Sequence, residues 1–259
     1  MFILGPIIGA VRGNSVNIMY ELDSTCVVQV TISCGDHVHE DHVIAHIGRP
    51  MVYTYTGVML DMEYEVELVA ASHVRRGRFH TFSHGTIEAM SCNNPHKGNE
   101  DTLSIMTASR PSLCIHMGDQ VYSDYGGTAF SSAIRKHTYD DMVHCFRNMY
   151  RESWSRDVMH EILSTRCNAM IMDDHDIVDS WDQLIQIPST WESMVARGGW
   201  SLLASQYRSR KKKAIIAALQ AYCEYQMALV GRDRPGSYTL EVGDRTILMV
   251  DVRMARATG

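Results

Sequence analysis

The sequence predicts a β-sandwich followed by an α/β domain, and two observations carry that prediction. Over the first 85 or so residues, apolar and polar side chains alternate with a period of two, and turn residues separate the runs every 8 to 12 positions, which is typical of a small sandwich. From Thr86 onward, short apolar strands alternate with helical segments, which indicates an α/β layer structure. We therefore divide the chain into residues 1–85 and 86–259.

The elements of the two domains follow from these periodicities. In the first domain, Val16–Leu22, Val28–Ile32 and Tyr64–Leu68 alternate as strands with one buried face. In the second, apolar residues at spacings of three and four predict helices. These helices span 134–154, 157–164 with Asp157 as the N-cap, and about 214–230, and a strand pair at 236–242 and 246–252 follows.

Composition limits the class of protein. The 259 residues are 45% hydrophobic and 21% charged, with a net charge of −6, as in a soluble globular protein. The negative charge argues against nonspecific binding to nucleic acid or acidic membranes, and we expect no nucleic-acid partner. No apolar run reaches the roughly 18 residues that a membrane span requires. Seven scattered cysteines without a C-x-x-C pattern favour a reducing compartment, and we expect a cytoplasmic protein without a signal peptide.

Candidate metal ligands follow several of the short apolar strands. Ligands in open α/β sheets collect beyond the carboxyl ends of such strands. Carboxylates clustered there repel one another unless a cation lies between them, so a metal site is the first hypothesis. The candidate strands and the residues that follow them are 86–90 with Cys92; 113–117 with Asp119, Tyr122 and Asp124; 169–172 with Asp173, Asp174, His175 and Asp176; and 247–250 with Asp251.

Three motifs resemble the PhoD-like alkaline phosphatases of the calcineurin-like metallophosphatase superfamily. These are S-C-N-N-P at 91–95, H-M-G-D-Q-V-Y-S-D at 116–124 and M-I-M-D-D-H-D-I-V-D-S-W at 170–181. The leading G-P-I-I-G-A-V-R at 5–12 and the β-rich first domain resemble the eukaryotic branch, in which a fibronectin-like sandwich precedes the catalytic domain. Tyr64 resembles the tyrosine segment of fibronectin type III domains. The resemblance implies a fibronectin III-like sandwich followed by part of a metallophosphatase α/β/β/α domain.

The resemblance also implies roles for individual residues. Cys92, Asp119, Tyr122, Asp124 and Asp174 would be metal ligands, with Asp119 bridging two ions. Asp174 would also touch phosphate, and His175 would steady the transition state or protonate the leaving oxygen. Family members combine iron with calcium, and the donors suit that pair, since thiolate and phenolate favour iron while carboxylates favour calcium.

The implied activity is metal-dependent hydrolysis of phosphate mono- or diesters at a dinuclear centre. Superfamily members complete the site with a later Asp-x-His, but no histidine follows His175 in this sequence. We therefore expect the chain to be truncated at its C-terminus relative to the natural protein. The alternative is a degenerate, noncatalytic phosphatase fold that serves as a binding module.

Two further clusters have simpler interpretations. His37, His39, His42 and His46 match a zinc site by count, but the flanking Gly35-Asp36 and Glu40-Asp41 favour an exposed hairpin with solvated histidines. The basic block R-S-R-K-K-K at 208–213 is interpreted as a solvated helix face, with contact to an anionic substrate as the alternative.

Overall fold

Seven antiparallel strands form the first part of the computed structural model. The structure describes residues 1–81, 83–94, 103–105, 108, 111–125, 129–181 and 201–257, the last range with side chains only from 209 to 256. Pro95, the last residue of one predicted motif, lies outside these residues. The seven strands are β1 (Phe2–Ile8), β2 (Ser15–Leu22), β3 (Cys26–Cys34), β4 (His37–Ala45), β5 (Met51–Thr56), β6 (Glu63–Ala70) and β7 (His73–His80).

The strands form two sheets, in the orders β1-β2-β5 and β4-β3-β6-β7. The alternation predicted from sequence decides which face of each strand is buried. Val28, Val30 and Ile32 on β3 are buried, as are Val66 and Leu68 on β6. The intervening residues face solvent or are half-buried, so one face of this sheet contributes to the core and the other does not.

Tyr64 is the second residue of β6 and is fully buried. Its phenol oxygen accepts a hydrogen bond from the backbone N–H of Met59, five residues upstream, at 2.7 Å, and its ring stacks on Phe79 with centroids 4.8 Å apart. A buried tyrosine at the start of a strand, bonded back to the preceding backbone, is the tyrosine corner of β-sandwiches. It fixes the turn that leads into β6.

The α/β part is built on three parallel strands, β8 (Ile87–Met90), β9 (Leu113–Met117) and β10 (Asn168–Ile171), in the order β10-β9-β8. Strand β9 is buried along most of its length, as expected for a strand covered on both faces. The other helices and strands of this part are α1 (Ala129–Arg135), α2 (Tyr139–Trp154), α3 (Asp157–Thr165), α4 (Ser201–Tyr225), a 3₁₀ turn (Met227–Val230), β11 (Tyr238–Val242), β12 (Arg245–Met249) and α5 (Val252–Ala257).

Three helical predictions need correction. The helix predicted over about 214–230 is α4, which begins at Ser201 and ends at Tyr225, and a separate 3₁₀ turn follows it. The single helix predicted over 134–154 is two helices, because Thr138 starts a new one: its side chain accepts from the N–H of Asp141 at 3.1 Å and so caps α2. Asp157 is not an N-cap but lies in the first turn of α3, whose N-cap is Arg156. An acidic side chain in the first turn still favours the helix through its dipole.

The C-terminal segment also differs from the prediction. The strand predicted over 246–252 is β12 at Arg245–Met249, and the chain becomes helical at Val252. Asp251 causes the change, because its carboxylate accepts from the N–H groups of Arg253 at 3.0 Å and Met254 at 2.9 Å. Strands β11 and β12 form a separate antiparallel pair. Among the described residues, none of the helices is long and apolar enough to cross a membrane.

The two halves of the chain meet at buried polar contacts. Gly9, just after β1, bridges in parallel to Asn168 at the start of β10, and the Asn168 amide donates to the carbonyl of Ile8 at 3.0 Å. Elsewhere at this junction, Glu21 of β2 is fully buried. It accepts hydrogen bonds from the guanidinium of Arg151 and, at 2.6 Å, from the hydroxyl of Tyr225.

Candidate metal centre

The predicted site residues lie mainly on two loops that follow β9 and β10. Because these strands are parallel neighbours, their carboxyl ends meet at one edge of the sheet. The loops approach so closely that a Cβ on Gly118 would lie 2.4 Å from the Cβ of Asp173. Gly118 also has φ +95°, a conformation that glycine adopts without steric cost. The glycine of the G-D motif thus permits the close approach of the two loops.

Asp119, Asp174 and His175 converge at this edge. One potential ligand atom from each lies within 4.8 Å of the others, the only such group of three in the described part of the chain. Asp119 is buried, and its Oδ1 accepts from the backbone N–H of His175 at 3.2 Å. Asp174 accepts from the N–H of Ser180 at 3.1 Å through Oδ2. The arrangement brings two carboxylates and an imidazole to one point.

Cys92 and Tyr122 lie close to the second carboxylate oxygen of Asp119, Oδ2. The Cys92 thiol and the Tyr122 hydroxyl each lie 3.5 Å from Oδ2 of Asp119. The backbone N–H of Cys92 donates to the carbonyl of Gly118 at 3.2 Å, which brings the end of β8 against the β9 loop. The Tyr122 ring stacks on His175 with centroids 4.6 Å apart. Four of the predicted metal ligands therefore share one cluster with His175.

Asp124 has a different position from the other predicted ligands. Its carboxylate accepts from His175 Nδ1 at 2.8 Å and from the N–H of Asp179 at 2.7 Å. It is not part of the three-residue group. A carboxylate bonded to one imidazole nitrogen fixes the orientation and tautomer of the ring, so Asp124 positions His175 in this arrangement.

The electrostatics of the cluster show the repulsion among its acids. Burial raises the pKa of Asp119 above its usual value, and the charges of Asp173 and Asp174 raise it further, against the opposing effect of His175. Burial by itself would lower the pKa of His175, but the hydrogen bond and charge of Asp124, with the charges of Asp119 and Asp174, raise it overall. Burial also raises the pKa of Tyr122.

Two further residues hold positions in the cluster that were not predicted from the sequence, since Arg253 was omitted and Asp176 was named only as a candidate metal ligand. The guanidinium of Arg253 bonds Oδ1 of Asp173 through Nε, and its Nη2 lies 3.1 Å from Oδ1 of Asp174. Asp176 is fully buried below the loops. Burial raises the pKa of Asp176 to about 7, although the hydrogen bonds that its carboxylate accepts lower it. The sequence did contain a signal for Arg253, since it comes two residues after the strand-ending Asp251.

Backbone strain is concentrated at the same place. Five non-glycine residues in the described chain have positive φ, and three of them are Cys92 (+58°), Asp119 (+53°) and Ser180 (+53°). Such conformations cost about 1–3 kcal/mol each and persist where the surroundings hold them, commonly at functional sites. The strained residues carry, or bond directly to, the side chains of the cluster.

The donor set suits metal ions. A thiol, a phenol, an imidazole and carboxylates combine the soft and hard donors that transition metals and calcium respectively prefer. A cation would also offset the burial and the neighbouring acidic charges that raise the pKa of Asp119. The residues present are therefore compatible with bound metal.

The fold and the site together define an α/β protein with residues that could hold a metal ion at the carboxyl ends of parallel strands, preceded by antiparallel sheets. The family model of the PhoD-like phosphatases matches residues 87–258. The chain belongs to this family, and its phosphatases are phosphoric ester hydrolases. The curated proteins contain no sequence that matches the chain significantly.

Solved structures extend the comparison beyond the family model. The structure of PhoD matches with a TM-score of 0.68 at 16% identity, covering 93% of this chain and 50% of that one, which shows a shared fold that includes the antiparallel sheets. This chain thus spans half the length of the PhoD structure. A covalently inhibited Bacteroides uniformis β-glucuronidase 2 matches at 10% identity over 82% of this chain and 32% of its own, with a TM-score of 0.26, which is too low to indicate a common fold.

Proposed function

We propose that this chain hydrolyses phosphate mono- or diesters at a dinuclear metal centre. The observation that carries the proposal is the convergence of Asp119, Asp174 and His175 to within 4.8 Å from two separate loops. Membership of the PhoD-like phosphatase family supports the reaction class. The substrate is a phosphate ester, and the metal ions would neutralise charge on the phosphoryl oxygens and supply an activated water.

The chemistry of the donors suggests how two metals would be held. Cys92 and Tyr122, both close to Oδ2 of Asp119, are the donors that suit Fe³⁺. Asp119 and Asp174 offer the carboxylate oxygens that suit Ca²⁺. Asp119 has both oxygens directed into the cluster, which supports a bridging role. We assign Asp124 to the orientation of His175, because its oxygens are bonded to that ring and to the N–H of Asp179.

His175 would act on the leaving group. Its Nδ1 is bonded to Asp124, which leaves Nε2 as the nitrogen that can transfer a proton. The raised pKa of His175 keeps the ring protonated to higher pH, as a general acid requires. Asp174, which lies beside Arg253, would hold metal or orient phosphate.

We also propose that residues 1–85 form a fibronectin III-like domain and residues 86–259 a PhoD-like catalytic domain. The strand orders β1-β2-β5 and β4-β3-β6-β7 and the Tyr64 corner support the first assignment. The family match from residue 87 supports the boundary.

A noncatalytic binding module is the second candidate function. It is favoured by Arg253, whose guanidinium pairs with Asp173 and Asp174 and so already balances part of their charge. Under this alternative, the chain would bind neither iron nor calcium at the cluster and would hydrolyse no ester.

The Asp119→Asn variant tests the proposal. An amide is a weaker and uncharged donor, so we expect bound metal to fall and hydrolysis of 4-nitrophenyl phosphate and its diester to be abolished, while circular dichroism stays unchanged. Metal content is measured by elemental analysis. Asp244→Asn, in an exposed turn, is the control and keeps both properties. Full activity of Asp119→Asn, or a wild-type protein with neither metal nor turnover, would refute the proposal.

A further inference from the structure

We propose that Asp176 and Gln226 are positioning residues that clamp the two loops of the site from below. The inference rests on the proposed function, since it takes Asp119 and Asp174 as metal ligands. Neither Asp176 nor Gln226 lies in the three-residue group of potential ligands, and both are fully buried. Their role would therefore be exerted through the residues that they hold.

Asp176 gathers hydrogen bonds from three parts of the chain. Its Oδ2 accepts from the backbone N–H of Asp119 at 2.8 Å and of Asp173 at 2.9 Å, one on each loop. Its Oδ1 accepts from the N–H of Gln120 at 3.1 Å and from the Gln226 amide, just beyond α4, at 2.9 Å. Four donors face one carboxylate, and these contacts join the β9 loop, the β10 loop and the end of α4.

The backbone of the β9 loop is shaped to receive this carboxylate. Gly118 has φ +95° and Asp119 has φ +53°, and the next two N–H groups, of Asp119 and Gln120, both point to Asp176. Successive N–H groups in such a turn form an anion-binding concavity. The hydrogen bonds also offset the cost of holding Asp119 in a left-handed conformation, and that conformation directs its carboxylate into the cluster.

The clamp is part of a wider buried polar layer. The Gln226 amide also donates to the Tyr150 hydroxyl at 3.0 Å. Gln120 Oε1 lies 2.8 Å from Nδ1 of His116, whose Nε2 lies 2.9 Å from Asn168 Oδ1. In a low-dielectric interior, each unsatisfied polar group is costly, so the layer has few alternative arrangements. Rigid support of this kind commonly tunes metal affinity.

Glu21 provides a matched control for Asp176. Both carboxylates are fully buried, and both accept several hydrogen bonds, Glu21 from Arg151 and Tyr225. Glu21 lies at the junction with the sandwich and does not contact either loop of the site. If Asp176 only stabilised the fold, Asp176→Asn and Glu21→Gln would have the same kinds of effect.

The experiment compares these two variants with the wild type. Calcium ions alone are titrated into the metal-free proteins by calorimetry, and amide hydrogen exchange is followed in peptides covering 113–125 and 168–178. We expect Asp176→Asn to bind Ca²⁺ about 10- to 100-fold more weakly and to exchange faster in both peptides. Glu21→Gln should lower the melting temperature and leave both the affinity and the exchange of these peptides unchanged.

A second variant keeps the test informative if Asp176→Asn fails to fold. Gln226→Met removes one donor of the clamp and keeps the Asp176 side chain, and a smaller change in the same direction is expected. Wild-type affinity and wild-type exchange in a folded Asp176→Asn, or in Gln226→Met, would overturn the proposal. If the wild type binds no Ca²⁺, the proposed dinuclear centre fails, whereas the exchange data still decide whether Asp176 clamps the loops.

Discussion

The chain contains two clusters rich in metal-ligand residue types, and the fold brings the side chains together in only one of them. One is the β4 histidines, His37, His39 and His42, and the other is the site cluster of Asp119, Asp174 and His175. On β4, side chains alternate between faces, and those on one face are about 7 Å apart along the strand. His39 Nε2 instead bonds the Tyr53 hydroxyl at 2.6 Å. In the site cluster, two loops bring their ligand atoms to within 4.8 Å.

The difference shows that topology, rather than residue count, builds a site. The predicted exposed hairpin is the β3–β4 pair, and the side chain of His42 is 59% exposed, while that of His175 is 31% exposed and bonded by Asp124. Spacing along one strand separates potential ligands, whereas adjacent parallel strand ends unite them. Three variants, two with one substitution and one with three, test this comparison.

His175→Gln tests the site cluster most strongly. Loss of a general acid costs about 10²- to 10⁴-fold in turnover, so kcat should fall by that factor. The loss should be larger for phenyl phosphate than for 4-nitrophenyl phosphate, because the poorer leaving group depends more on protonation. His42→Gln, from the β4 histidines, is the control and should retain wild-type kcat. Equal losses for the two esters would argue against proton donation by His175.

Asp124→Asn tests the link between Asp124 and the imidazole. Because Asp124 raises the pKa of His175 against the effect of burial, the variant should titrate His175 at lower pH. Histidine proton shifts followed by NMR measure this, with His175→Gln identifying the resonance. An unchanged titration would contradict the assigned role of Asp124.

The Asp124→Asn substitution should also change how the free energy of unfolding depends on pH, and the direction of that change follows from the His175 pKa. A raised pKa means that the folded chain binds the proton more tightly than the unfolded chain, whose histidine pKa is about 6.5. This contribution is fully present below pH 6.5 or so and is lost as pH rises through the folded pKa. The difference in unfolding free energy between wild type and Asp124→Asn should therefore shrink as the pH is raised, as urea titrations can measure.

Removal of the β4 histidines should have the smallest effect. Replacing His37, His39 and His42 by alanine together removes exposed side chains and the single bond to Tyr53. Each exposed substitution should change the free energy of unfolding by no more than about 0.5 kcal/mol. Metal content and turnover should be unchanged. A loss of bound metal would show that the β4 histidines bind it after all.

Much of the architecture could be predicted because the local pattern and the fold agree. Leu113–Met117 was predicted with the bounds that β9 has, since a short apolar run between polar loops has few alternatives. The break between α1 and α2 was missed although the four residues 135–138 include no apolar side chain. The Thr138–Asp141 capping pair was its sequence signal. The helix at Val252 was missed because apolar residues stand on both sides of Asp251, from Ile247 to Val250 and again at Val252, so the strand pattern continues.

The convergence of the candidate site residues could be predicted where they follow neighbouring strands. It could not be predicted for residues that reach the cluster from far along the sequence. Asp119, Asp174 and His175 come directly after short apolar runs. Asp176 stands in the same D-D-H-D motif, and sequence alone does not show that it turns inward toward Gln226, 50 residues away. Arg253 reaches Asp173 across 80 residues. Such contacts depend on packing between elements, which periodicity does not encode.

The bridge between Gly9 and Asn168 bears on how the protein can be divided. The family match begins at residue 87, but a fragment starting there would lack the backbone that covers the outer side of β10 and the carbonyl that the Asn168 amide requires. A bare strand edge invites self-association. The antiparallel sheets are thus a structural part of the α/β half, and the smallest autonomous folding unit is expected to include β1.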